Sequence, residues 1–135
     1  MDEVTAANPG MAAIPLDVTS LASIQAAADE LIQRFPDLNV VFNNAGFMPF
    51  DDVSRPVEDN LGQELINTNL LGPIRVTSAL IEHLKTKVQA TVLYTSSVLA
   101  YVPIASNAIY SAIKAALHSY ALSQRFQLRG TGVRV

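Results

Sequence analysis

Tyr110 and Lys114 form the residue pair in this sequence whose types and spacing best suit proton transfer. In a helix, positions four apart lie on one face, so the phenol and the ammonium project to the same side. A phenol has an ordinary pKa of about 10, and a nearby cation favours its ionised form, which brings proton exchange closer to neutral pH. The pair therefore predicts an acid/base couple, although the same spacing also occurs where a half-buried tyrosine lies beside a solvated lysine.

Three further polar motifs precede this pair. Ser97 ends the apolar, β-branched run 90–97, and the sequence Asn-Asn-Ala-Gly at 43–46 follows another apolar run. Both runs are typical of buried strands, and polar groups at the carboxyl ends of strands in an open α/β sheet face the ligand crevice. The third motif, Asn-Thr-Asn-Leu-Leu-Gly at 67–72, lies in a predicted helix.

Together these motifs resemble the signature of the classical short-chain dehydrogenase/reductase family: an Asn-Asn-Ala-Gly turn, an Asn in a helix, a Ser, and Tyr-x-x-x-Lys. All four occur in the family's order, the spacing from Ser97 to Tyr110 matches, and the resemblance covers essentially the whole chain. It implies an α/β fold, a partial Rossmann-like, doubly wound, mostly parallel sheet with flanking helices, in which residues 1–135 form one partial NAD(P)-binding domain. It also implies an enzyme, an NAD(P)-dependent oxidoreductase that transfers hydride between nicotinamide and an alcohol or carbonyl substrate.

The resemblance assigns catalytic roles to four residues. Tyr110 gives or takes the hydroxyl proton, and Ser97 holds and polarises the carbonyl oxygen. Lys114 favours the phenolate and binds the nicotinamide ribose, while the main-chain carbonyl of Asn69 anchors a water of the proton relay. The chemistry of proline points to the same carbonyl, because Pro73 has no N–H that could donate to it. The alternative is that the helix is kinked at this point without any functional role.

The resemblance also places NAD or NADP against a set of residues along the chain: Asp17, Val18, Asn44, Ala45, Gly46, Tyr110 and Lys114. In the family, the first two lie at the adenine, the Asn-Ala-Gly run follows the ribose and phosphate, and the residue matching Asn43 braces the sheet. Gly46 can take positive φ. The alternatives are that Thr19 or Ser20 only caps the next helix, and that 43–46 is an ordinary glycine-terminated loop.

The family's Thr-Gly-x-x-x-Gly-x-Gly loop, which brings a pyrophosphate to a helix N-terminus, does not occur in the sequence. By resemblance the chain begins just before the family's third strand and ends in its sixth. The predicted strand at 12–18 then lacks its two neighbours, so it either pairs directly with the strand at 38–42 or depends on material outside the chain. In the family, the strand that selects NAD or NADP precedes this region, and most substrate determinants follow it.

The composition excludes several other classes of function. With 50% hydrophobic and 16% charged residues the chain has enough apolar content for a core, and the net charge of −3 gives no basic surface for nucleic acid or an anionic membrane. There is no cysteine, and the two histidines are not accompanied by carboxylate clusters, so no metal site is predicted. The sequence shows no signal peptide and no apolar run long enough to span a bilayer, so a cytoplasmic protein is expected.

Apolar periodicity predicts helices at 23–35, 61–87 and 107–129, the second kinked at Pro73. In the last helix, Ser106 or Asn107 is the predicted cap, and the predicted buried stripe is Ile109, Ile113, Ala116, Leu117 and Tyr120. Gly130 is the predicted helix stop, and a strand follows at 132–135.

The helices 61–87 and 107–129 form the subunit interface in the family, so a homo-oligomer is expected. The same helices support a second hypothesis, a catalytically silent chain that acts only as a dimerising or interaction module. A third interpretation, an epimerase or dehydratase of the family's extended branch, also uses Tyr-x-x-x-Lys, but the Asn-Asn-Ala-Gly turn favours the classical branch.

Overall fold

The computed structural model describes residues 2–57 and 59–135, in which helices alternate with the strands of one small sheet. The helices are α1 (Asp2–Ala7), α2 (Leu21–Arg34), α3 (Asp59–Ile66), α4 (Gly72–Lys85) and α5 (Ala108–Gln127), and the strands are β1 (Val40–Asn43), β2 (Ala90–Tyr94) and β3 (Val133–Arg134). A π-helical turn (Asn67–Leu71) joins α3 to α4, and two 3-10 turns (Val98–Ala100 and Ala105–Asn107) precede α5.

The sheet is parallel throughout, with the strand order β1-β2-β3. Val41 lies beside Val92 and Phe42 beside Leu93, whereas β3 pairs only with the first two residues of β2. Parallel pairing requires a crossover between consecutive strands, and the helices supply it. The α/β class, a partial Rossmann-like sheet with flanking helices, is therefore confirmed.

One face of this sheet carries the core. Val41 and Val92 pack there against Ala28 of α2 and against Leu80 and Leu84 of α4. The apolar side of each of these helices thus meets the sheet.

The opposite face of the same strands is open. Val40, Phe42 and Leu93 point to it and are 49%, 63% and 45% exposed. Parallel sheets are normally covered on both faces, so these three side chains form an apolar surface without a covering layer in the described part of the chain.

The predicted strand at 12–18 is wrong. Residues 11–17 have no strand hydrogen bonds, and of the two alternatives for this segment, direct pairing with the strand that became β1 does not occur in the described residues. A strand exists only through its ladder partners, and without a neighbour the segment instead places Leu16 and Val18 beside Phe42 and Val76 at a small cavity.

The start and end of α2 follow the sequence. Ser20 is the N-cap and its hydroxyl accepts from the Ser23 N–H at 3.3 Å, while the helix ends just before Pro36. A side-chain cap satisfies one of the N–H groups that the first turn leaves without a partner.

The predicted helix at 61–87 is divided into three parts. The Gly72 N–H donates to the Asn67 carbonyl, a five-residue step that defines the π turn, and Pro73 occupies the first turn of α4. Proline has no N–H to continue the hydrogen-bond ladder from the π turn into α4. The sequence predicts the kink at Pro73, and the structure has a π turn, a local widening of the helix, immediately before this position.

Helix α5 ends as predicted, with Gly130 at a φ of +89°. Its buried side differs from the predicted stripe: Ile113 and Leu117 are buried, Ala116 is exposed, and Ser111 and Lys114 are buried instead. These two polar side chains reach main-chain carbonyls, which periodicity alone cannot reveal.

The prediction that Ser106 or Asn107 caps α5 is confirmed for the position of Asn107 but not for a side-chain bond to the helix. Asn107 stands at the N-cap position without a side-chain bond to the helix, and the carboxylate of Asp51 takes that place.

Among the described residues, none of the helices is both long enough and apolar enough to cross a membrane.

Candidate active site

Lys114 connects the middle of α5 to the end of β2. Its ammonium donates to the Thr95 main-chain carbonyl at 2.6 Å, and the residue is only 5% exposed. Burial disfavours the charged form and lowers the pKa of Lys114 below its ordinary value of 10.5. The bond to Thr95 uses one of three ammonium hydrogens, which leaves two for other acceptors.

Tyr110 lies one helical turn before this lysine, in the first turn of α5, and is partly buried. The Lys114 nitrogen is 5.4 Å from the centre of the Tyr110 ring. The phenol and the ammonium thus lie on the same side of α5, within the range of a cation–π contact.

The Asn-Asn-Ala-Gly turn is fastened to the end of β2 beside Lys114. The Thr95 hydroxyl donates to the Asn44 side-chain oxygen at 2.7 Å, and the Thr95 N–H donates to the Asn43 carbonyl at 3.0 Å. The Asn43 amide donates to the Thr77 hydroxyl at 2.9 Å and to the Leu93 carbonyl at 3.3 Å. Asn43 therefore ties β1 to both β2 and α4.

Asn69 holds the chain that follows this turn. Its side chain is 1% exposed, accepts from the Phe47 N–H at 3.0 Å and donates to the Phe47 carbonyl at 2.7 Å. These two bonds have the same pattern as the bonds between paired residues of neighbouring strands, and they hold Phe47 against the π turn.

Gly46 lies where a larger residue would press against Asn69. A Cβ on Gly46 would lie 2.8 Å from the Asn69 side-chain oxygen. In the described residues the glycines with positive φ are Gly10 and Gly130, so the expectation of positive φ at Gly46 is wrong. Close approach of Asn69, rather than backbone conformation, requires the glycine.

Ser97 follows β2 and caps the 3-10 turn Val98–Ala100. Its hydroxyl oxygen accepts from the Leu99 N–H at 3.1 Å, and the turn packs against α5. That bond uses a lone pair and not the hydroxyl hydrogen, which can still be donated to a substrate oxygen.

Asp17 and Val18 differ in their surroundings. Asp17 is exposed, and its carboxylate accepts from the Thr19 N–H at 2.9 Å and the Thr19 hydroxyl at 2.7 Å, which lowers the pKa of Asp17. Val18 lies 3.1 Å from where a Cβ on Gly72 would be, and it lines a cavity of about 90 Å³ together with Asn44 and Ala45. The structure brings Val18, but not the Asp17 carboxylate, to the wall of this cavity.

Two residues of this site carry no signal in the motifs. Thr95 supplies both the carbonyl for Lys114 and the hydroxyl for Asn44, and Asp51 bonds the first turn of the helix that bears Tyr110. Thr95 could have been suspected as the polar residue two positions before Ser97. Asp51 is 57 residues away from its partner Ala108, so local sequence does not indicate the contact.

The arrangement therefore places a buried ammonium, a phenol and a serine hydroxyl around the carboxyl end of β2. An amide turn lies beside them, and Asn69 links that turn to the π turn. This set of groups can donate, accept and relay protons, and within residues 2–57 and 59–135 no cluster of three His, Asp or Glu is placed to hold a metal ion.

Comparison with known proteins gives concordant matches along the whole chain. The sequence profile described as short chain dehydrogenase matches residues 1–135. The uncharacterized oxidoreductase DltE of Bacillus subtilis strain 168 is 35% identical over 121 residues, 88% of this chain and 48% of that protein. The NADPH-dependent 1-acyldihydroxyacetone phosphate reductase of Schizosaccharomyces pombe is 32% identical over 137 residues, 100% of this chain and 45% of that protein.

A solved structure agrees with these sequence matches. The crystal structure of a short-chain dehydrogenase/reductase from Burkholderia phymatum in complex with NAD superposes with a TM-score of 0.90 at 25% identity, over 98% of this chain and 48% of that one. The chain spans about half the length of the relatives that it matches.

Proposed function

The chain belongs to the short-chain dehydrogenase family, and on that premise we propose that it carries the proton-transfer half of an NAD(P)-dependent oxidoreductase acting on an alcohol or carbonyl compound. Residues 1–135 then form one part of a Rossmann-type domain. The observation that carries the proposal is the contact of the buried Lys114 ammonium with the end of β2, 5.4 Å from the Tyr110 ring. An ammonium is buried at a cost, so a position that keeps one beside a phenol favours a chemical use.

The residues that are present fit the nicotinamide side of the cofactor. Lys114 keeps two hydrogens for ribose hydroxyls, and its partner Thr95 is bonded to Asn44, which lines a cavity together with Ala45. Val18 lies on the wall of the same cavity, on the side proposed for the adenine. Gly46 and Asp17 complete the proposed cofactor surface, at the turn and at the adenine end. The glycine-rich pyrophosphate loop is not part of this sequence, and the proposal covers either NAD or NADP.

In the proposed reaction, the bound nicotinamide supplies or accepts the hydride. Ser97 donates its hydroxyl hydrogen to the carbonyl oxygen, which stabilises the negative charge that develops there. Tyr110 gives that oxygen its proton during reduction, and Lys114 stabilises the resulting phenolate. Asn69 positions a water through its main-chain carbonyl and so links Lys114 to solvent.

A titration of the purified chain with NADPH and NADH, followed by nicotinamide fluorescence, tests the proposal. Saturable binding is expected, and Lys114→Ala should weaken it by about tenfold or more. Lys85→Ala is the matched control, because Lys85 is an exposed lysine paired with Glu82 on α4. Tyr110→Phe should leave the dissociation constant within about twofold and remove turnover of a ketone or aldehyde panel.

A folded chain that binds neither cofactor at millimolar concentration overturns the proposal for this polypeptide. Equal losses of binding in Lys114→Ala and Lys85→Ala would overturn the assigned role of Lys114 alone.

A second candidate function is self-association through helices 61–87 and 107–129. Leu122 and Phe126 lie four positions apart on α5, and they are 47% and 64% exposed. Large apolar side chains on one helix face are typical of an interface. This candidate is independent of cofactor binding and also fits a catalytically silent dimerising chain.

A further inference from the structure

Asp51 makes two hydrogen bonds to the helix that carries the proposed catalytic pair. One carboxylate oxygen accepts from the Ala108 N–H at 3.0 Å and the other from the Ile109 N–H at 2.9 Å. The first N–H groups of a helix lack partners within it, and the positive end of the helix dipole favours a carboxylate there. Tyr110 is the next residue in the chain.

The segment 47–51 is attached to this helix start by two more bonds. The Asp51 N–H donates to the Ser106 carbonyl at 2.9 Å, and the Asn107 side chain donates to the Pro49 carbonyl at 2.7 Å. Asn107, which stands at the N-cap, thus uses its side chain to hold this segment.

The other end of the segment is fixed to the π turn. Phe47 exchanges two main-chain bonds with the Asn69 side chain, and Asn69 is almost completely buried. Residues 47–51 therefore join the π turn at one end to the first turn of α5 at the other.

We propose that Asp51 is a positioning residue that fixes Tyr110 relative to Lys114. The inference rests on the proposed function, in which these two residues act together. Lys114 has its own anchor at Thr95, one helical turn further along. Without the Asp51 carboxylate, the first turn of α5 loses its cap and frays, while the lysine stays where it is.

Because Tyr110 and Lys114 are held by different contacts, loss of Asp51 should affect them differently. Loss of Asp51 displaces the phenol but not the ammonium, so proton transfer suffers and cofactor affinity does not. A displacement of a reacting group by about 1 Å can cost about 100-fold in rate.

The test compares Asp51→Ala and Asp51→Asn with the matched control Asp52→Ala. Asp52 is the neighbouring carboxylate, and it bonds only within its own exposed loop, to Ser54 and Arg55, among the described contacts. Three quantities are measured in the full chain: NADPH affinity, kcat with a carbonyl substrate, and the tyrosine ring signals in a ¹H–¹³C NMR spectrum, with the Tyr110 signals assigned by Tyr110→Phe.

For Asp51→Ala we expect kcat to fall by about 100-fold, with an NADPH dissociation constant within about threefold of the parent chain. Asp51→Asn keeps one acceptor oxygen and should recover about tenfold of that loss. The Tyr110 ring signals should move or broaden in Asp51→Ala, whereas those of Tyr94 and Tyr120 stay in place and Asp52→Ala changes none of them.

Unchanged Tyr110 signals in Asp51→Ala would overturn the inference, whether or not the chain turns over a substrate. An equal loss of NADPH affinity and kcat would also overturn it, because that result assigns Asp51 to general stability. If Asp51→Ala does not fold, Asp51→Asn decides by the same signals. A chain that binds no NADPH refutes the proposed function, and the NMR comparison still decides the role of Asp51.

Discussion

The Lys114 ammonium of α5 and the Thr95 carbonyl at the end of β2 are 2.6 Å apart, and this bond joins the helix to the sheet at the proposed active site. Burial lowers the pKa of Lys114. Burying the Lys114 ammonium therefore lowers the stability of the fold, whereas the proposed chemistry requires this ammonium. A substitution of Lys114 can separate the two effects.

Lys114→Met should remove NADPH binding while changing the free energy of unfolding at pH 7 by no more than about 1 kcal/mol. The lost bond to Thr95 is offset by the removal of a buried charge, and methionine keeps the packing of the aliphatic stem. Because the pKa of Lys114 is lowered on folding, the unfolded chain binds more protons in the window below pH 10.5, and stability rises with pH there. Urea unfolding of both proteins at several pH values should show this rise in the parent chain and not in Lys114→Met. A loss above about 3 kcal/mol in the variant at pH 7 would contradict the argument.

Gly46→Ala should destabilise the chain by about 1–3 kcal/mol, because the added Cβ meets the Asn69 side-chain oxygen at 2.8 Å. Asn69 must then release Phe47. The matched control is Gly62→Ala in α3, where a Cβ meets nothing within 4 Å. That variant should gain about 0.5–1 kcal/mol from the helix preference of alanine. Thermal unfolding of both variants measures these changes. Equal shifts of Tm in the same direction would refute the role assigned to the close contact between Gly46 and Asn69.

Tyr94→Phe tests the polar contacts between β2, α4 and α5. The Tyr94 hydroxyl lies 3.1 Å from the Thr77 hydroxyl and 2.8 Å from the Gln124 side-chain oxygen, and burial raises the pKa of Tyr94 to about 12. The variant should lose about 1 kcal/mol at pH 7, since the buried Thr77 and the partly buried Gln124 each lose a bond.

The same tyrosine predicts a pH dependence. In the unfolded chain its pKa is about 10, so between pH 10 and 12 the unfolded state binds fewer protons and stability falls as pH rises. Allowing for partial exposure, the parent chain should lose about 1 kcal/mol more than Tyr94→Phe between pH 9 and pH 11. Denaturant unfolding at the two pH values measures this, with Tyr101→Phe as an exposed control. Parallel losses in the parent chain and Tyr94→Phe would rule out this contribution.

The double variant Leu122→Glu, Phe126→Glu tests self-association. We expect the parent chain to sediment as a dimer at micromolar concentration and the variant as a monomer, because two charges would be buried in the interface. Val88→Glu is the control, since Val88 is 93% exposed and lies outside both helices. A dimer that survives both substitutions on α5 would exclude this face of the helix.

Most of the helices, and the strands β1 and β2, could be predicted from the sequence. Those elements are set by local signals: the Ser20 cap and Pro36 bound α2, Pro73 marks the start of α4, and Gly130 ends α5. Such signals act within one turn and need no knowledge of the rest of the chain.

Most of the failures involve partners that are distant in sequence. Residues 12–18 have strand-like composition, yet no neighbour supplies the ladder. The cap of α5 comes from Asp51, 57 positions before it. Gly46 is constrained by a side chain 23 residues later, and the polar residues Ser111 and Lys114 are buried because main-chain carbonyls lie within reach.

The contacts that begin at Asn43 form a continuous series of side chains. The Asn43 amide nitrogen must face the Leu93 carbonyl, which can only accept, so that nitrogen also donates to Thr77. The Tyr94 hydroxyl has a single hydrogen for two neighbours, the Gln124 side-chain oxygen at 2.8 Å and the Thr77 hydroxyl at 3.1 Å. The Gln124 nitrogen in turn donates to the Tyr120 hydroxyl.

The series therefore runs from β1 through α4 and β2 to α5. Tyr120 is the last of these side chains, and it lines the groove between α4 and α5 together with Ile81 and Lys85. One series of hydrogen-bonded side chains thus joins the Asn-Asn-Ala-Gly turn to this groove.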